Sequence, residues 1–325
     1  MSLSRRLFAH CLACAGLAGG FRATSASAQA PWSPPPSSER CPSRWGADDT
    51  RGAMNLQTPE QVQKAARLIR TGRVVELGHT LEGGMPFFGT RRFDVHLKQM
   101  FMNPQANRRG SNEEIVITEI GQVGTQLDAF PHQTIGDEVY NCNKVAEISS
   151  RGGLTRMGVD GVGQVFTRGV LIDVAALKSV RTLEDTYEIT VEDLQQAMAR
   201  QNVRIERGDV VLIRTGWDAY WGTDNARYVR SCPGIGVAAA EWLIRQDPIM
   251  LGSDNWPVEV APSKTMPHAS LPVHQIALVV HGVHLLENLK LNDLAQVGQS
   301  EFAFIMQPLK VKGGSGATVA PTAVF

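Results

Sequence analysis

What the chain lacks narrows its class. No block of one charge sign occurs, since 32 lysines and arginines balance 32 aspartates and glutamates over 325 residues. Nucleic-acid binding needs concentrated positive charge against phosphates, and the sequence offers none. Apolar runs are short as well. The weakly apolar stretch over residues 9–21 falls below the length that spans a bilayer, so no membrane span is expected. There is no Gly-x-Ser-x-Gly elbow, P-loop or His-Glu-x-x-His, and the one Cys-x-x-Cys pair, Cys11 with Cys14, falls within the first 28 residues, which leaves serine- and cysteine-nucleophile chemistry without support. Internal repeats are missing, and no low-complexity linker follows residue 40. Cysteines are few. Setting aside the first 28 residues, Cys41, Cys142 and Cys232 remain, an odd and widely spaced set that is no disulfide framework. One bridge and three free thiols fit that set about equally.

What is present describes an ordinary globular chain, 43% apolar and 20% charged, with length enough for a large core. Residues 1–28 read as a twin-arginine export signal. Arg5 and Arg6 stand before the apolar stretch, and Ala26-Ser-Ala28 offers a cleavage site. Loss of Arg5, Arg6 and Arg22 would leave 29 basic and 32 acidic residues, a net charge of −3. A periplasmic location is therefore expected. Residues 29–40, rich in Pro and Ser, read as a flexible leader, and 41–325 as a single domain.

Helix and strand patterns alternate along that domain, predicting a mixed α and β fold. Thr58 and Pro59 are a good N-cap and first turn for a helix over 60–70. Thr190 with Asp193 resembles a capping box for a helix over 191–201, and a further helix is expected within 234–245. Strands are expected at 74–77, 115–120, 169–174, 209–214, 248–252, 275–280, 282–286 and 302–306. The segment 87–112 reads as an irregular loop that could cover a substrate.

One stretch carries chemistry. Gly121-Gln-Val-Gly-Thr-Gln-Leu-Asp-Ala-Phe-Pro-His132 places Gln122, Gln126, Asp128 and His132 behind a strand-like run. On an extended segment, residues two apart face the same way, so Gln126 and Asp128 should project into one space. Asp128 sits among apolar neighbours, where a carboxylate requires a cation or several donors. A turn that feeds it backbone N–H groups would serve equally. His132 can hold or release a proton near neutrality, as a general acid/base must.

The stretch resembles the HxGTHxDxPxH signature of the cyclase family, which includes bacterial kynurenine formamidases and isatin hydrolases. Gly124, Thr125, Asp128 and His132 match. Gln122 and Gln126 stand where the signature has metal-binding histidines, and Pro131 is one place late. The resemblance continues in order through Trp45-Gly-Ala-Asp-Asp49, Gly208 to Gly216, Gly252-Ser-Asp-Asn255 and Leu285-Leu-Glu-Asn-Leu289, covering roughly 41–325. It implies a swivelling β/β/α fold around a central barrel-like sheet, in a homodimer or homotetramer. It also implies that His274 and Glu287 complete a metal shell with Asp128, Gln122 and Gln126, while His132 serves the hydrolytic water. Asp254 and Trp256 are expected to line the pocket, with His281 and His284 in packing or surface roles.

Amide carbonyls are weaker zinc ligands than imidazole, so a divalent ion here would be Mn or Zn, with Mg a further candidate. The implied activity is metal-dependent hydrolysis of a small amide or cyclic amide, of the arylformamidase or isatin hydrolase type. Two other readings stay open: a binding protein that has lost catalysis, and a metal-free lactonase or hydratase using His132 with Glu287.

Overall fold

The computed structural model describes residues 32–100 and 107–325. The expected export signal and its cleavage site lie outside the described residues. No described helix is long and apolar enough to cross a membrane.

Eleven strands carry the architecture. They are β1 (Val74–Glu76), β2 (Phe93–Met100), β3 (Ser111–Thr118), β4 (Gln126–Asp128), β5 (Val165–Asp173), β6 (Val210–Arg214), β7 (Met250–Ser253), β8 (His284–Glu287), β9 (Glu301–Met306), β10 (Gly316–Thr318) and β11 (Thr322–Val324). Nine of them form one curled sheet in the order β1-β11-β9-β5-β6-β7-β8-β4-β10, as the cyclase-like expectation requires. The inner block β5-β6-β7-β8 is parallel. Parallel neighbours need crossovers. Helix Val191–Gln201 lies between β5 and β6, and helix Val237–Ile244 between β6 and β7. Strands covered on both faces read as unbroken apolar runs, and every residue of β6 is buried.

The caps at Thr58 and Thr190 form as expected. Each side chain accepts from a backbone N–H three residues on, and Asp193 returns the bond to Thr190. Three expectations need correction. The run 275–280 is a wide π-type helical turn, Gln275–His281, and not a strand. A short apolar run does not distinguish the two by itself. Pro272 starts the helical segment, and Gly282 ends it in the left-handed region at φ 61. The segment 87–112 is not all loop, because β2 pairs along its length with β3 as a hairpin outside the main sheet. Residues 37–40 are not a flexible leader either: Ser37–Arg40 is a helical turn, and buried Arg40 pairs with Glu138 at 2.6 Å. The closing strands β10 and β11 were not foreseen.

Among the described residues the cysteines resolve into one bridge, Cys41–Cys142, and one buried thiol, Cys232. The bridge spans 101 residues of sequence and pins the N-terminal segment beside the turn that holds Asn141. Closing so long a loop restricts the unfolded chain. Cys142→Ser is expected to cost about 2–5 kcal/mol, read as a lower denaturant midpoint than the oxidised protein.

Candidate active site

Strand β4 is three residues long, and all three are buried. It lies antiparallel between β8 and β10, with Gln126 opposite Glu287 and Thr318, and Asp128 opposite Leu285 and Gly316. The pleat puts Leu127 on one face and the two polar residues on the other. The turn before β4 depends on Gly124 at φ 66, and Asn288 donates from its amide to the Gly124 carbonyl at 2.9 Å. Thr125 donates to the Asn288 carbonyl, tying the start of β4 to the end of β8. After Asp128, Pro131 opens a single turn, Phe130–His132, that brings the imidazole back toward the carboxylate.

Five of the expected residues gather around Asp128: His132, His274, Glu287, Gln122 and Gln126. Oδ2 of Asp128 is buried without a hydrogen-bond partner. Nε2 of His274 lies 3.7 Å from that oxygen, and Nε2 of His132 lies 3.9 Å from it. Asp128, His132 and His274 each offer a ligand atom, all within 4.8 Å of one another. Glu287 stands beside them, its Oε1 3.0 Å from His274 Nε2. The glutamines act as donors. Gln126 Nε2 donates to Glu287 Oε2 at 2.8 Å, and Gln122 Nε2 donates to Asp128 Oδ1 at 3.4 Å. A cavity of about 170 Å³ opens onto the cluster, lined by Gln122, Gln126, His132, His274, Glu287 and Trp256, among others. Asp254 does not line it. Its carboxylate accepts the N–H groups of Thr215 and Gly216 at 2.9 and 2.7 Å, holding the turn after β6 beneath the site.

Sequence reasoning passed over Glu259 and Arg91, and gave His284 only a packing or surface role. Glu259 Oε1 lies 2.6 Å from His274 Nδ1, and its two oxygens accept the N–H groups of Val273 and His274 at 3.0 Å each. A carboxylate so placed keeps the proton on Nδ1 and turns Nε2 toward Asp128 and Glu287. The sign was there: a lone acid between Val258 and Val260 wants a partner, as Glu287 does between its leucines. His284 Nδ1 donates to the Asp128 carbonyl at 2.8 Å and stacks on Phe130, so it secures β4. Arg91 lines the cavity and donates to the Gln122 carbonyl at 3.1 Å.

Electrostatics follow the burial. Burial and the charge of Asp128 push the Glu287 carboxyl up to about 7, against the His274 hydrogen bond. Burial alone would hold His274 down, but its hydrogen bonds to Glu259 and Glu287 overcome that and raise it well above the ordinary imidazole range. Burial dominates at His132 and lowers it. An orphaned, fully buried carboxylate oxygen faced by two imidazole nitrogens is costly without a cation. The donor set of two nitrogens and one oxygen therefore fits a divalent metal. Glu259→Gln is expected to lower metal affinity or kcat/KM about 10- to 100-fold with the fold intact, checked by metal titration and steady-state rates.

The comparisons agree with this architecture. A crystal structure titled as a novel cyclase superposes with a TM-score of 0.78 at 32% identity, over 87% of this chain and 98% of that one. Isatin hydrolase A from Ralstonia solanacearum gives 0.57 at 24% identity, over 83% and 98%. Isatin hydrolase A from Labrenzia aggregata, bound to benzyl benzoate, gives 0.56 at 20%, over 77% and 93%. No curated protein matches the sequence. The Cyclase family model matches residues 75–260, more than half of the sequence and including β4 and its signature, so the chain belongs to the cyclase family.

Proposed function

We propose that the protein is a metal-dependent hydrolase of a small amide or cyclic amide. The observation that carries this reading is the convergence of Asp128, His132 and His274 about an unpartnered carboxylate oxygen at the foot of a cavity. Those three side chains would hold the ion, Mn or Zn, whose role is to polarise the substrate carbonyl and make water acidic. The two glutamines then orient carboxylates through their amide N–H groups and are not ligands themselves.

Geometry also favours exchanging two roles given by the family resemblance. His132 belongs to the ligand set, while Glu287 lines the cavity outside it. Glu287 Oε2 is fixed by Gln126, and with His274 Nε2 engaged by the ion, Oε1 would be free to take a proton from water and return it to the leaving nitrogen. Arg91 and Trp256 would position the substrate from the cavity wall. The neighbours titled as isatin hydrolases support an amide-type substrate by their shared fold. The disulfide supports maturation in an oxidising compartment, in keeping with periplasmic export. A homodimer or homotetramer remains part of the reading.

The test is elemental analysis of protein purified without chelator, followed by assay against formanilides, cyclic imides and lactones. One equivalent of Mn or Zn, with amide turnover lost on chelation and restored by the metal, is expected. Chelator-resistant turnover would replace this reading with metal-free acid/base chemistry. Metal without turnover on any of these would favour a binding protein.

A further inference from the structure

The catalytic cavity is small for a complete substrate. At about 170 Å³ it is close to a space that holds one benzene-sized group, whereas sites for larger organic molecules run to several hundred Å³. Beside it lies a second space of about 870 Å³, mostly apolar, walled by the loop 260–272, Met266 and Pro267 included. The two spaces share Phe88, Val229, Trp256 and Leu271 as a common wall. Phe88 and Trp256 form the top of that wall, their rings 4.1 Å apart and tilted by 43°. Phe88 is 37% exposed, so little packing holds its ring in place. Among the described residues no carboxylate lines the outer space, while Arg230, Lys264 and His268 do, so nothing acidic there opposes an electron-rich or apolar occupant.

We infer that the substrate carries an extended apolar substituent, which passes the Phe88–Trp256 pair and lies in the groove formed by residues 260–272. This rests on the proposed hydrolase reading and adds the substrate class, an amide with its carbonyl at Asp128 and a long apolar arm. Continuity of the two walls carries the inference. The inner cavity takes the reacting group and the groove takes the remainder. Specificity then resides in Met266 and Pro267, which line the groove and not the inner cavity.

The experiment uses the metal-loaded protein and two homologous series. N-alkylformamides from methyl to octyl report turnover, and N-alkylureas of the same lengths, which resist hydrolysis, report affinity through tryptophan fluorescence. Each added methylene is expected to raise kcat/KM and lower Kd about fourfold until the groove is filled. Met266→Asp should flatten both slopes. Because Met266 is buried, Ala269→Trp, at a half-buried loop position, provides a second variant that fills the groove without placing a charge in it. Equal affinity for methyl- and octylurea in the wild type would overturn the inference, as would slopes that neither variant changes. If no formamide is hydrolysed while the urea slope persists, the groove stands and the hydrolase reading falls.

Discussion

Asp128→Asn is expected to remove the bound ion and to lower kcat/KM at least ~10³-fold, equivalent to about 4 kcal/mol of transition-state stabilisation. The substitution keeps the size of the side chain and deletes its charge. An uncharged amide binds a divalent ion far less well, and its N–H₂ group would compete with the imidazoles for Glu287. The backbone should not move. β4 stays hydrogen-bonded between β8 and β10, and His284 still donates to the carbonyl of residue 128 at 2.8 Å. Ion-free variant and ion-free parent should therefore melt within a few degrees of each other. A modest gain for the variant is expected, since a buried charge with an unpartnered oxygen is gone. The measurements are metal content, steady-state rates and thermal melts on the same preparations. A variant that keeps one equivalent of metal and a rate within tenfold of the parent would remove Asp128 from the centre.

How much of this was legible in the sequence depends on distance along the chain. Local signals were reliable. The pleat of residues 126–128, the caps at Thr58 and Thr190, and the buried run of β6 all follow from neighbours a few residues apart. The placement of His274 and Glu287 beside Asp128 came from the family resemblance, because strand pairing across some 160 residues leaves no mark in spacing. The helical turn 275–281 was misread for a related reason. Its residues are apolar because it is a buried crossover, and burial alone looks alike in a strand and a helix. Glu259 was missed although its setting matched that of Glu287, since only the fold shows which imidazole it holds. Strand β2 escaped notice, although its partner β3 was expected in part at 115–120, because the hairpin is exposed on both faces, with Leu97 66% and Ile115 51% exposed, so no apolar alternation marks β2.

Arg168→Met is expected to cost about 3–5 kcal/mol of stability and to leave the chemistry alone. Arg168 projects from β5 and is 3% exposed. Its guanidinium donates from Nε and Nη2 to the two oxygens of Asp209 at 2.9 and 2.6 Å, from Nη2 to the Arg204 carbonyl at 2.9 Å, and from Nη1 to Glu301 on β9. Three adjacent strand segments are thereby joined at the start of β6. Without the guanidinium, Asp209, 1% exposed, keeps only the N–H of Glu206 at 2.6 Å and is left a nearly unpaired buried charge. That penalty belongs to the orphan and not to the pair. The double variant Arg168→Met with Asp209→Leu should therefore be more stable than Arg168→Met alone, a sign that simple additivity forbids. The network sits at the N-terminal end of the parallel block, whereas Glu287 and the turn held by Asp254 lie at its C-terminal end. Rates measured well below the melting transition should consequently match the parent. Denaturant midpoints for the two single variants and the double would decide the matter, and a double variant no better than Arg168→Met would place the cost in lost packing instead.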